Sequence, residues 1–209
     1  MNPALHREKR SEPRHPADGE VRVWFGEPRA REIQGRLMDV SASGFRMAHD
    51  YEALVMELDS RGYQYRVVNR GVSGNTTKDG VNRLKDVLAA NPEIAVVEFG
   101  GNDGLRGLPI TATRANLDQI ISTLKNAGVK VVLAGITLPP DYGQDYIRDI
   151  NETFTLAARK FKVPLLPFLL IHVYNIPGGL QQDGIHATAK GNAIVAEDVF
   201  ALLKPLLKK

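Results

Sequence analysis

The stretch Ala95-Val96-Val97-Glu98-Phe99-Gly100-Gly101-Asn102-Asp103-Gly104 constrains the fold more than any other. A short apolar run, rich in β-branched residues and stopped by two glycines and an Asn-Asp-Gly, reads as a buried parallel strand emptying into a loop. Ligands of open α/β sheets sit at such strand ends. The glycines allow close backbone approach and unusual φ, and the Asn102 amide can donate to a developing oxyanion.

From Asp50 onward the pattern repeats. Tyr51 to Ser60 has Leu54, Val55 and Leu58 on one helical face and stops at Arg61-Gly62. Arg66 to Asn69 reads as a short strand leading to Gly71-Val72-Ser73-Gly74-Asn75-Thr76-Thr77, and Thr77 to Ala90 as a helix cut off by Asn91-Pro92. After the Ala95 strand come a helix from Arg114 to Asn126, an apolar strand from Val129 to Ile136 and a helix from Tyr146 to Lys160. The run Val163 to Leu169 and a helix from Ala189 to Leu203 complete the set. Alternating helices and apolar strands predict a parallel sheet covered on both faces.

Residues 1–49 differ. Met1 to Asp18 is a polar arm rich in Arg, His and Pro. Val21 to Phe25, Glu32 to Val40 and Gly44 to Met47 then predict three strands of a small antiparallel sheet with one wet face. The domain division is therefore 1–49, a polar arm and β-rich segment, and 50–209, the α/β domain.

Composition narrows the chemistry. A length of 209 residues holds one full α/β domain, and 27 Lys+Arg against 24 Asp+Glu, with no basic block, argues against nucleic acid. With no cysteine, disulfides, thiolate catalysis and zinc-thiolate sites are excluded. No metal or cofactor is expected. The charged start lacks the apolar core of a signal peptide and no window is long enough for a membrane span, so the expected location is cytoplasmic.

Three loops of the α/β region carry chemical groups. Gly74 offers a backbone N–H at a helix start and Asn102 a side-chain amide. Asp183-Gly184-Ile185-His186 is an Asp-x-x-His in which a short loop can hold a carboxylate against the imidazole. His172, in the apolar run Phe168 to Tyr174 and without an acidic neighbour in sequence, reads as structural.

On these residues the chain resembles the SGNH (GDSL-type) hydrolases, and among them the bacterial arylesterase, thioesterase and lysophospholipase group. The matching blocks are Val67 to Thr77, Glu98 to Gly107, Leu138 to Gly143 and Asp183 to His186, in the family's order over about three quarters of the chain. The resemblance implies a flavodoxin-like three-layer α/β/α sandwich and hydrolysis of a small ester or thioester. It implies Gly74 and Asn102 as oxyanion-hole donors, His186 as general base and Asp183 as its orienting acid. Ala187 stands where the family has proline.

The family opens with a buried apolar strand ending in Gly-Asp-Ser, whose serine is the nucleophile. The corresponding residues here are Met38-Asp39-Val40, with Ser41 one position on and Ser43 three. Val40 stands where the nucleophile belongs and cannot attack a carbonyl, so the candidate nucleophiles are Ser41 and Ser43. Adjacent strand residues point to opposite faces, so a slip of one residue is not free. Arg31 to Arg36 is also too charged for a central buried strand.

Arg10-Ser11-Glu12-Pro13-Arg14 followed by Asp39-Val40-Ser41-Ala42-Ser43-Gly44 resembles the Arg-x-x-x-Arg and Asp-x-Ser-x-x-Gly signature of PilZ domains. That resemblance implies an alternative ligand, cyclic di-GMP, held by Arg10, Arg14, Asp39, Ser41 and Gly44. Only the front half of such a barrel is present.

Overall fold

The alternation of buried side chains along one central strand, β5 (Lys130–Ala134), organises the α/β layers. Val131 and Leu133 point into one core, and Val132 points into another on the opposite face. In this computed structural model residues 53–209 are described in full, with residue 52 and three earlier stretches, 15–25, 31–41 and 44–47, described at the level of the backbone. The chain divides into two compact units, Met1–Glu52 and Ala53–Lys209.

In the first unit β1 (His15–Phe25), β2 (Arg31–Ser41) and β3 (Gly44–Met47) form an antiparallel sheet in that order. An antiparallel meander is there, with longer first and second strands than expected. Val40 lies opposite Phe45 and Ser41 opposite Gly44.

In the second unit α1 (Glu52–Ser60) precedes two short helices, α2 (Thr77–Asn82) and α3 (Leu84–Ala89). The strand β4 (Ile94–Glu98) follows, then α4 (Gly101–Leu105) and α5 (Ile110–Asn126). After β5 come α6 (Gln144–Phe161), β6 (Leu165–Leu166) and α7 (Ala189–Leu203). The sheet order is β4-β5-β6, all parallel. One core joins Val97, Val131 and Leu133 to Leu117, Ile121 and Leu124 of α5 and Ile150 and Phe154 of α6. The other joins Val132 and Leu166 to Val199 and Leu203 of α7, with Leu54 of α1 against them. Helices therefore cover both faces of a parallel sheet, the α/β architecture expected.

Local departures have local causes. Arg66 to Asn69 forms no strand: no described strand pairs with it, and the Asn69 side chain accepts the Gly71 N–H at 2.8 Å, drawing the backbone into a turn. The expected helix Thr77 to Ala90 breaks at Arg83, whose guanidinium reaches back to Asn75 Oδ1 at 2.9 Å. The run Val163 to Leu169 yields only the two residues of β6, because Pro164 and Pro167 bracket them and cannot donate to a ladder. Gly101 to Gly104, read as loop, is one turn of helix.

The course of α7 fixes which edge its first turn occupies. Lys130 Nζ, at the amino end of β5, donates to the Leu206 carbonyl just beyond α7 at 2.9 Å. A helix of 15 residues rises about 22 Å, so its start returns to the carboxyl edge of the sheet. The exit of β4 lies on that same edge. Among the described residues no helix is long and apolar enough to cross a membrane.

Candidate active site

The exit from β4 is built around Gly100, at φ +106°, where a Cβ would stand 3.0 Å from Phe154 Cζ. Any other residue would be strained there and pushed into the core. The turn delivers Asn102 to α4. Its Nδ2 donates to the Asn75 carbonyl at 2.9 Å, which uses one of the two amide N–H groups and leaves a second donor. The Tyr142 and Tyr146 hydroxyls hold the far side of this loop by donating to the carbonyls of Leu105 and Leu108, at 3.0 and 3.2 Å. Burial, then the nearby Asp103 and Tyr142, push the Tyr146 hydroxyl above its ordinary 10.0.

The second loop ends at the start of α2, where Thr76 and Asp79 cap each other reciprocally. The Thr76 N–H and hydroxyl, the former first, hold the Asp79 carboxyl below its ordinary value. Gly74 lies just ahead of this cap at φ +82°, and its carbonyl accepts Arg106 Nη2 at 2.9 Å. Its N–H has no acceptor among the described residues. Gly74 thus precedes the helix cap rather than forming part of the first turn.

Asp183 and His186 occupy the loop before α7. His186 Nδ1 lies 2.7 Å from Asp183 Oδ2, while Oδ1 accepts the backbone N–H groups of Ile185 at 3.0 Å and His186 at 3.1 Å. Three donors converge on one carboxyl. Burial pushes Asp183 up, but the His186 ring and the two amides outweigh it, and its pKa stands below the ordinary value. With Nδ1–H donating to the carboxylate, Nε2 carries the lone pair. The His186 side chain is 63% exposed, so that nitrogen can meet a substrate.

His172 departs from expectation. It is 65% exposed, and its Nδ1 lies 2.8 Å from Asp198 Oδ1 on α7. Its acidic partner is distant in sequence and was invisible there. Among the described residues there is thus a second His–Asp pair, in which Asp198 Oδ2 is buried with no partner among them.

Gly74, Asn102, Asp183 and His186 therefore all belong to the second unit. Asn102 reaches the Gly74 loop through Asn75, and the Asp183–His186 loop rises at the same sheet edge. Ser41 is the last residue of β2 in the first unit, with Asp39 on the same strand and Gly44 opening β3. Arg10, Arg14 and Ser43 lie outside the described residues. Among the described residues no cluster of His, Asp and Glu has the makings of a metal site.

The model of the GDSL-like lipase/acylhydrolase family matches residues 39–194. The chain belongs to that family. Esterase TesA of Pseudomonas aeruginosa is 39% identical over 169 residues, 80% of this chain and 84% of the relative. Thioesterase 1/protease 1/lysophospholipase L1 of Escherichia coli K12 is 35% identical over 172 residues, 82% of this chain and 83% of the relative. A crystal structure of TesA superimposes with TM-score 0.71 and 40% identity, covering 75% of this chain and 87% of that one. The GDSL-like fold is thus common to sequence and structure.

Sequence reasoning overlooked the groups that hold these loops in this GDSL-like domain. Asp103, Thr77, Thr113 and Asn116 form a buried polar network beneath Asn102. An Asn-Asp pair downstream of a Thr-Thr pair was the available signal, but their contact spans 26 residues.

Proposed function

We propose that the chain hydrolyses carboxylic esters or thioesters, with Ser41 as nucleophile, His186 as general base and Asp183 as its orienting acid. The observation that carries this reading is the Asp183–His186 pair, its carboxyl held by two backbone amides and its imidazole left exposed. The relatives' names, esterase, thioesterase and lysophospholipase, support the substrate class. In this scheme Nε2 takes the serine proton as the serine oxygen bonds to the acyl carbon. The Gly74 N–H and the Asn102 amide stabilise the resulting oxyanion. Collapse breaks the bond to the leaving alcohol or thiol, which accepts the proton from His186. Water, activated by the same base, then frees the acid.

Val40 stands where the family's serine is expected and Ser41 one residue later, which makes the proposed enzyme slow. The test is hydrolysis of a short-chain p-nitrophenyl ester by the parent, Ser41→Ala, Ser43→Ala, His186→Ala and the double change Met38→Gly with Val40→Ser. The parent is expected to turn over slowly. His186→Ala and Ser41→Ala should lower the rate, although oxyanion donors alone can leave roughly 10³-fold over water. The double change restores a hydroxyl at the family position and should raise it. An unchanged rate in Ser41→Ala removes that serine, and an unchanged rate in His186→Ala removes the hydrolase reading itself.

A second reading rests on the antiparallel sheet of the first unit, in which Ser41 of β2 is registered opposite Gly44 of β3 and Asp39 opposite Arg46. It takes the first unit as a site for cyclic di-GMP, with Arg10 and Arg14 supplying the cations.

A further inference from the structure

Asp103 is a carboxyl group in a place where burial opposes it. It is 2% exposed and lies between Asn102 and Gly104 in α4. Its Oδ2 accepts the Thr77 backbone N–H at 2.8 Å, and its Oδ1 meets the Thr77 hydroxyl at 2.5 Å. Thr77 Oγ1 also accepts Asn116 Nδ2 at 3.0 Å, so its own proton points to Asp103. The Thr113 hydroxyl lies 3.3 Å from the same Oδ1. Thr77 and Thr113 are themselves 0% and 1% exposed.

These bonds tie together two loops that are otherwise joined by lighter contacts. Thr77 opens α2, three residues after Gly74, and Asp103 directly follows Asn102. The other ties between the loops are the Asn102 amide on the Asn75 carbonyl and the exposed Arg106 on the Gly74 carbonyl. A buried polar group costs stability unless its partners are all in place. A cluster of apolar residues would join the two elements without that demand, but it would not fix their separation and direction as hydrogen bonds do.

We infer that Asp103 is a positioning residue that sets the Gly74 N–H and the Asn102 amide at a fixed mutual distance, so that both reach one oxyanion. The inference rests on the hydrolase reading. Buried as it is, the Asp103 carboxyl touches no substrate and acts through its two neighbours.

The experiment compares the parent with Asp103→Asn and Thr77→Val, reading p-nitrophenyl ester kinetics, thermal melting, and the NMR signals and solvent exchange of the Asn102 side-chain amide. Replacing the carboxyl by an amide turns one acceptor into a donor that faces the Thr77 donors. In Asp103→Asn, kcat is expected to fall about 10²-fold at nearly unchanged KM, since small displacements of reacting groups carry penalties of that order. The Asn102 amide signals should shift and exchange faster in both variants. Thr77→Val keeps the volume while deleting one hydroxyl, which makes it the second variant should Asp103→Asn fail to fold, and its expected loss is about tenfold in kcat. Folded variants that melt lower but keep kcat and the Asn102 amide signals would overturn the inference. Should the parent lack turnover, the hydrolase reading fails while the amide signals still decide whether Asp103 positions Asn102. His186→Ala, which removes the base, should leave those amide signals where they are.

Discussion

At the scale of single residues, the two His–Asp pairs show how differently one carboxylate can be held. Asp183 gathers three donors within a four-residue loop, whereas Asp198, among the described residues, meets only the His172 ring and keeps a buried Oδ2 with no partner there. The first arrangement fixes an imidazole. The second leaves a carboxyl oxygen unpaid. The Asp183 pair also has a thermodynamic signature. Its folded-state pKa lies below the ordinary 3.8, so the folded chain binds that proton more weakly than the unfolded chain does. The stabilisation is complete above the unfolded value and is lost as pH falls through the lowered folded value. The melting temperature of the parent should therefore exceed that of Asp183→Asn by a constant margin from pH 5 to 6, and the margin should shrink as pH is taken below 3.8. A margin that grows on acidification would show that the carboxylate is not stabilised in the fold.

At the scale of elements, β4 poses the sharpest contrast. Among the described strands its ladder runs to β5 alone, and its side chains alternate: Val97 is 4% exposed while Val96 is 40% exposed. Val97→Ala removes two methyl groups from a packed core and should cost about 2 kcal/mol in denaturant unfolding. Val96→Ala should fall within about 0.5 kcal/mol of the parent. Equal costs would mean that the outer face of β4 is covered in solution. The same contrast shows what was legible in the sequence. Helix α7 was readable to the residue because its apolar positions and its Thr188 cap are local signals. The strand expected at Arg66 to Asn69 was not, because a strand exists only through a neighbour, and residues 66–69 find none among the described strands. Likewise the Asp-x-x-His could be read from four adjacent letters, while Asp198 beside His172 and Asp103 beside Thr77 each bridge 26 residues. Local hydrogen-bonded motifs are written in sequence; contacts made by packing are written only in the fold.

At the scale of the whole molecule, the division into Met1–Glu52 and Ala53–Lys209 sets the question of function. His186, Asp183, Gly74 and Asn102, which the hydrolase proposal takes as base, orienting acid and oxyanion donors, come from the second unit, whereas Ser41 and Ser43 both come from the first. The hydrolase proposal takes its nucleophile from the first unit and its base from the second, and the second reading gives the first unit to cyclic di-GMP. That use meets a physical difficulty. Its described sheet has three strands, β1-β2-β3, and an open meander leaves two unpaired edges where a barrel would have none. Each side chain that must be ordered on binding subtracts from affinity. Calorimetric titration of the full chain with cyclic di-GMP should accordingly give weak binding or none. A submicromolar dissociation constant lost in Arg14→Ala would show that three strands suffice and that the first unit is a nucleotide site. If Ser41→Ala then abolished the ester rate without changing that constant, Ser41 would belong to the hydrolase; if it weakened nucleotide binding and left the ester rate intact, Ser41 would belong to the nucleotide site and the nucleophile would have to be sought elsewhere.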